Sequence, residues 1–179
     1  GRVILHPAVG HSDLERSMAM RTDSLFRMAS NSKAVTAAGL MLLVEDGKLN
    51  LDVPIGTYLE AFDDDPWHDV TLRHLLSHTS GIRIKPLFLT PLLQKSTKYP
   101  EAPDLRLEAS RFAEFPPEHK PGTTYSYNNA GYNLLAAIIE QVTGSYQEHL
   151  QTRIYEPMGM RDSSNHESDA DHSRMSTVM

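Results

Sequence analysis

Ser30 and Lys33 stand three positions apart in the stretch FRMASNSKAVTA, immediately ahead of a long apolar run. On a helix, residues i and i+3 share a face, so an ammonium at 33 can reach a hydroxyl at 30. A serine hydroxyl is a weak nucleophile near neutrality and becomes useful beside a group that takes its proton. Backbone amides in the first turn of a helix have no intrahelical acceptor, so the Ser30 amide can also stabilise a developing oxyanion. The same two residues serve equally well as a helix cap and a solvated first-turn lysine. The spacing occurs once in the chain, which by itself does not separate the two readings.

A second cluster lies in PGTTYSYNNAGYNLLAAIIEQVTG, residues 121–144, where a Pro-Gly turn leads through an aromatic and polar loop onto an apolar helix. Tyr127 and Asn129 form the only Y-x-N in the chain. An ordinary tyrosine, with a pKa of about 10, is too weakly acidic to act as a base near neutrality. A neighbouring cation favours the phenolate and lowers that value. Lys33 is the obvious cation, so the two motifs are chemically useful only together. Taken singly, Tyr127 reads as a packing aromatic and Asn129 as a helix cap.

Metal chemistry finds less support. His74 and His78 are four apart in HLLSH, but no glutamate follows the first histidine and no third ligand is evident. Asp162, Glu167, Asp169 and Asp171 in the acidic tail read as a solvated loop rather than a calcium site. No metal and no organic cofactor is implied.

The elements that must hold these residues are mostly helical. Residues 30–46 predict a helix that is apolar nearly all round, which places it at a centre and covers it on every side; Gly47 supplies a left-handed stop. Thr71 caps a short helix through Leu75 and Leu76, broken by SHTSG at residues 77–81. Residues 82–121 carry repeated prolines and predict loops and brief helices, the usual material of a lid or site wall. A second apolar helix is predicted from about Ala130 to Val142, stopped at Gly144. Ser145 and Glu148 then make a capping box for a third, which ends before Pro157. Residues 1–10 read as a short strand pair, and the last few residues as possible strand. The sum is one domain, 1–179, in which residues 47–126 form a helical and loop insertion between the two motifs. A helical block with strand stubs on its flanks indicates a helical subdomain set in an α/β sheet. Both ends read as cut from a longer sequence.

Bulk composition narrows the class further. The chain has 179 residues, 40% hydrophobic and 22% charged, ordinary values for a globular protein. A net charge of -6 without a basic run argues against nucleic acid. No uncharged apolar stretch is long enough to span a membrane. The absence of cysteine excludes disulfides, thiolate nucleophiles and thiolate metal sites.

FRMASNSK, LRHLLSHTSGI, PGTTYSYNNAGY and YEPMGMRDSS, in this order, resemble the successive signatures of the class C β-lactamase-like serine hydrolases. That family includes AmpC-type β-lactamases, D-alanyl-D-alanine carboxypeptidases and peptidases, and esterases. The resemblance covers nearly the whole chain and implies an α/β (α+β) fold of the β-lactamase/transpeptidase type, seen here mostly through its helical subdomain with an incomplete flanking sheet. It implies that Ser30 is acylated, that Lys33 holds its proton, that Tyr127 shuttles protons and that Asn129 orients substrate and the lysine. Asn128 departs from the Ser or Ala more usual between them, a change expected to alter rim polarity. The family's third motif, K-T-G or H-x-G, is absent downstream of Tyr127 and is expected beyond residue 179. The implied activity is acyl transfer from a lactam, peptide or ester to water or another nucleophile. Alternatives are a penicillin-binding or sensor-type relative that is acylated without turnover, and a structural helical domain with a decayed site. The implied partners are a small-molecule or peptide substrate, together with a homo-oligomer or the remainder of the domain covering the apolar helix. Export to the periplasm or outside the cell fits the resemblance alone.

Overall fold

The computed structural model describes residues 2–82, 105–165 and 170–177. Two short strands, β1 (His11–Asp13) and β2 (Met18–Ala19), pair antiparallel and are followed by five helices. These are α1 (Ser32–Glu45), α2 (Leu72–Leu76), α3 (Leu105–Ala113), α4 (Ala130–Thr143) and α5 (Tyr146–Leu150). The strand pair expected at residues 1–10 therefore lies further along, and residues 2–9 join no ladder. Pro7 has no amide proton to give, and Val3, Ile4 and Leu5 stand exposed with no described surface over them. The far end of the chain does pair. Leu25 N–H reaches Arg174 O at 2.8 Å, Ser176 N–H reaches Leu25 O at 2.8 Å, and Thr177 N–H reaches Ser12 O at 2.9 Å.

The centre of the helical block is α4, where sequence pattern had pointed to α1. Ala130, Gly131 and the run from Leu134 to Ile139 are buried, and α1, α2, α3 and α5 all pack on this helix. Leu134, Leu135, Ile138 and Ile139 are wholly buried. Burial at about 1.5–3 kcal/mol per large aliphatic side chain, more than intrinsic propensity, holds a helix of this length. Gly144, at φ +88°, ends it.

On α1 only Thr36, Gly39, Leu40 and Leu43 are buried. Ala34, Ala38 and Met41 lie along one stripe and face outward, so this helix is covered on one side and open on the other. Its pattern misled because alanines spaced around a helix read as apolar yet need little cover. The stop is as predicted: Gly47 adopts φ +71°, its N–H reaches Val44 O at 3.0 Å, and Lys48 N–H reaches Leu43 O at 2.9 Å.

Helix α5 closes on the buried side of α1. Thr36 Oγ1 and the Tyr146 hydroxyl share a 2.7 Å hydrogen bond, and His149 Nε2 donates to Gly39 O at 2.9 Å. A β-carbon at Gly39 would run into the Leu150 side chain, so a larger residue here would force Leu150 to move. Ser145 Oγ accepts from Glu148 N–H at 3.1 Å to start α5. In α2, Thr71 and His74 form a reciprocal capping box. Nine-residue α3 packs on α4 through buried Ala109 and Phe112, a longer element than the brief helices expected there. Pro86, Pro91, Pro100 and Pro103, and with them most of the expected lid or wall, lie outside the described residues.

Candidate active site

Ser30 sits in a single 3₁₀ turn, Ala29–Asn31, one step before α1, and not on the helix itself as expected. Ala29 holds φ +45°, a left-handed conformation that bends the chain just ahead of the serine. Such backbone costs a non-glycine residue about 1–3 kcal/mol and persists where surrounding structure imposes it. Lys33 follows in the first turn of α1, and its Nζ donates to Ser30 Oγ at 3.2 Å. The Tyr127 hydroxyl, carried by the loop before α4, donates to the same oxygen at 2.8 Å. Three of the four expected site residues thus converge on one atom.

The lysine also sets the electrostatics of the tyrosine. Lys33 Nζ lies 5.0 Å from the centre of the Tyr127 ring and 5.8 Å from that of Tyr132. The Lys33 ammonium first, and then the hydrogen bond with Ser30, hold the Tyr127 phenol below its ordinary pKa of 10.0. Tyr127 is 50% exposed, so water screens part of this effect.

Asn129 is the fourth candidate. It lies at the cap position of α4, exposed, and its side chain does not cap the helix. Its neighbour Asn128 does the anchoring. Asn128 is 4% exposed, and its Oδ1 accepts from Gly131 N–H at 2.9 Å while its Nδ2 donates to Ser126 O at 2.9 Å. The expectation that Asn128 tunes rim polarity is thereby corrected: its amide is buried because both ends close a turn of backbone beneath Tyr127.

The SHTSG turn supports the loop from the other side. Ser126 N–H reaches His78 O at 2.8 Å, and Gly122 N–H reaches Thr79 O at 2.8 Å. The His78 ring lies 4.6 Å from the Tyr127 ring, 5.2 Å from Tyr132 and 5.9 Å from Tyr125, centre to centre. Burial, followed by the nearby Lys33 charge, lowers the His78 pKa from 6.5. Tyr132, whose hydroxyl donates to Leu76 O at 3.2 Å, packs on the His78 ring. Sequence reasoning weighed His78 as a metal ligand and, in preference, as part of the structural turn SHTSG; no local spacing predicts its place beside the Y-x-N loop.

Among the described residues, the side chains of the two rival metal readings have other partners. His74 Nδ1 is occupied in the α2 cap, where it accepts from Thr71 N–H at 3.3 Å. Asp162 pairs with Arg174 at 2.8 Å, Asp171 caps the turn at Ser173, and Glu167 and Asp169 lie outside the described residues. Clefts of 460 and 340 Å³ open beyond the C-terminal end of α1 and around Arg161–Asp162, and neither is lined by Ser30, Lys33 or Tyr127. Ser30 itself is exposed.

The Beta-lactamase family model matches residues 1–179. The chain is 33% identical over 165 residues to penicillin-binding protein 4* of Bacillus subtilis, covering 90% of this chain and 35% of that protein. It is 33% identical over 172 residues to esterase EstB of Burkholderia gladioli, covering 90% and 44%. Among solved structures, D-amino acid amidase from Ochrobactrum anthropi complexed with D-phenylalanine matches with a TM-score of 0.75 and 34% identity over 93% of this chain and 45% of that one. The chain therefore spans less than half the length of these relatives. Its fold is of the β-lactamase/transpeptidase type, here a mostly helical part with a small sheet. With the family's model matched from the first residue to the last, this chain belongs to the beta-lactamase family.

Proposed function

We propose that the protein is a serine hydrolase that forms an acyl-enzyme on Ser30 and passes the acyl group to water or another nucleophile. The observation that carries this reading is the convergence of Lys33 Nζ and the Tyr127 hydroxyl on Ser30 Oγ, at 3.2 and 2.8 Å. Both partners are within proton-transfer reach of the nucleophile. Once the Lys33–Tyr127 pair has given up a proton, it accepts the Ser30 proton as Oγ bonds to a carbonyl carbon. The same proton then goes to the departing amine or alcohol as the carbonyl collapses, leaving the ester on Ser30. Water or another nucleophile repeats the sequence to release the acyl group.

The Ser30 amide, in a first turn, is suited to receive the oxyanion. Asn129, exposed at the head of α4, is suited to offer its side-chain amide to the substrate. An esterase, an amidase and a penicillin-binding protein among the relatives support a carbonyl compound of ester, amide or lactam type as substrate.

The test is labelling of the full-length protein by a fluorophosphonate or a penicillin. One label on Ser30, absent in Ser30→Ala, is expected; equal labelling of the variant would remove Ser30 from the chemistry. Turnover of a chromogenic ester or cephalosporin then distinguishes a hydrolase from a sensor-type relative, which would keep a stoichiometric adduct.

A further inference from the structure

Asn128 N–H donates to His78 Nδ1 at 3.4 Å, which makes that nitrogen the acceptor and leaves the ring proton on Nε2. The same ring packs on Tyr127 and Tyr132, and the carbonyl of His78 receives Ser126 N–H. His78 thus grips the residues on both sides of Tyr127 through its backbone and imidazole, and Tyr127 itself through its ring face. It does so at φ +57°, in the left-handed region that residues with a β-carbon rarely adopt, so the turn is shaped to present this side chain.

We propose that His78 is a positioning residue for Tyr127 that works only as the neutral imidazole, and that its protonation releases Tyr127 from Ser30. This inference rests on the acyl-transfer reading of Ser30. A second proton would have to enter on Nδ1, where the Asn128 N–H already points; donor would then face donor, and the loop would have to move away. It would also place a second cation beside the tyrosines that Lys33 already faces. The titratable groups around the ring are Lys33 from α1, Tyr125 and Tyr127 from the loop and Tyr132 from α4; among the described residues no carboxylate forms an ion pair with it. Among the described residues, none of these groups compensates an imidazolium. The depressed pKa of His78 agrees with this geometry: the neutral form is kept at neutral pH and lost on acidification.

The informative variant is His78→Asn. Asparagine tolerates the left-handed backbone and offers Oδ1 close to the place of Nδ1, but it does not titrate. In the full-length protein, the rate of Ser30 acylation by a fluorophosphonate would be followed between about pH 5 and 8. The parent rate is expected to fall on the acid side more steeply than the protonation of the Lys33–Tyr127 base alone requires, because His78 adds a second ionisation. His78→Asn should retain acylation within about tenfold at neutral pH, the scale of one hydrogen bond, and should lose the His78 component, leaving the single ionisation of the base. An unchanged acid limb in the variant would assign the second ionisation elsewhere and overturn the proposal.

A second readout does not depend on catalysis. With carbon-13 in the Tyr127 ring, its resonance should shift at the midpoint of the His78 imidazole signal and cease to do so in His78→Asn. A Tyr127 signal indifferent to His78 overturns the proposal whatever the activity. Tracking of the two signals in a protein that never labels on Ser30 would retire the acyl-transfer reading and still uphold the hold of His78 on Tyr127.

Discussion

Tyr127 donates a 2.8 Å hydrogen bond to Ser30 Oγ from 97 positions further along the chain. The contact joins the loop before the most deeply packed helix, α4, to the turn before its neighbour α1, and the packing of the two helices sets the distance between them. Lys33 reaches the same oxygen from within its own turn. One partner is thus local and the other wholly tertiary, and the chemistry proposed for Ser30 draws on both.

On the proposed reading, in which Lys33 and Tyr127 share one proton-accepting role, their losses should not add. Lys33→Met and Tyr127→Phe are each expected to lower the acylation rate by about 10²–10⁴, the usual worth of a positioned acid or base. The double variant should be little slower than the worse single one. Rates that multiply would assign the two residues separate roles. Stopped-flow acylation of the three variants decides it.

The lowered phenol pKa of Tyr127 has a definite sign. A cation stabilises the tyrosinate, so removing it must move the ionisation of Tyr127 to higher pH. Alkaline absorbance titrations of the parent and of Lys33→Met, each with its Tyr127→Phe counterpart subtracted, measure this directly. Tyr127 in the parent should ionise below the ordinary 10.0, and in Lys33→Met later than in the parent. An earlier or unmoved midpoint would mean that Lys33 does not govern the phenol.

Asn128→Ala should loosen the loop while leaving Ser30 and Lys33 in place. The substitution strips the buried Gly131 N–H of its acceptor and Ser126 O of a donor. An unsatisfied buried amide costs about 1–3 kcal/mol, so a lower melting temperature and slower acylation are expected together. Unchanged stability with slowed acylation would place Asn128 in contact with substrate instead.

What the sequence determined by itself was local. S-x-x-K spacing, one turn long, brings Lys33 to Ser30 wherever the chain coils, and the structure keeps that contact although Ser30 precedes α1. Gly47, Thr71, Gly144 and Ser145 announced helix ends and starts that involve only a few neighbouring residues. The four ordered signatures revealed the family, and with it the fold.

Tertiary structure decided which helix lies at the centre and what holds the tyrosine. Alanine-rich α1 and leucine-rich α4 are similarly apolar on paper, but burial depends on which faces meet, and only α4 is enclosed by four other helices. Asn128 carries no mark of its role in the linear sequence, and His78 only its place in the SHTSG signature. One is a buried amide closing a turn and the other a partly exposed imidazole against Tyr127, and each finds its hydrogen-bond partner in backbone brought close by the fold.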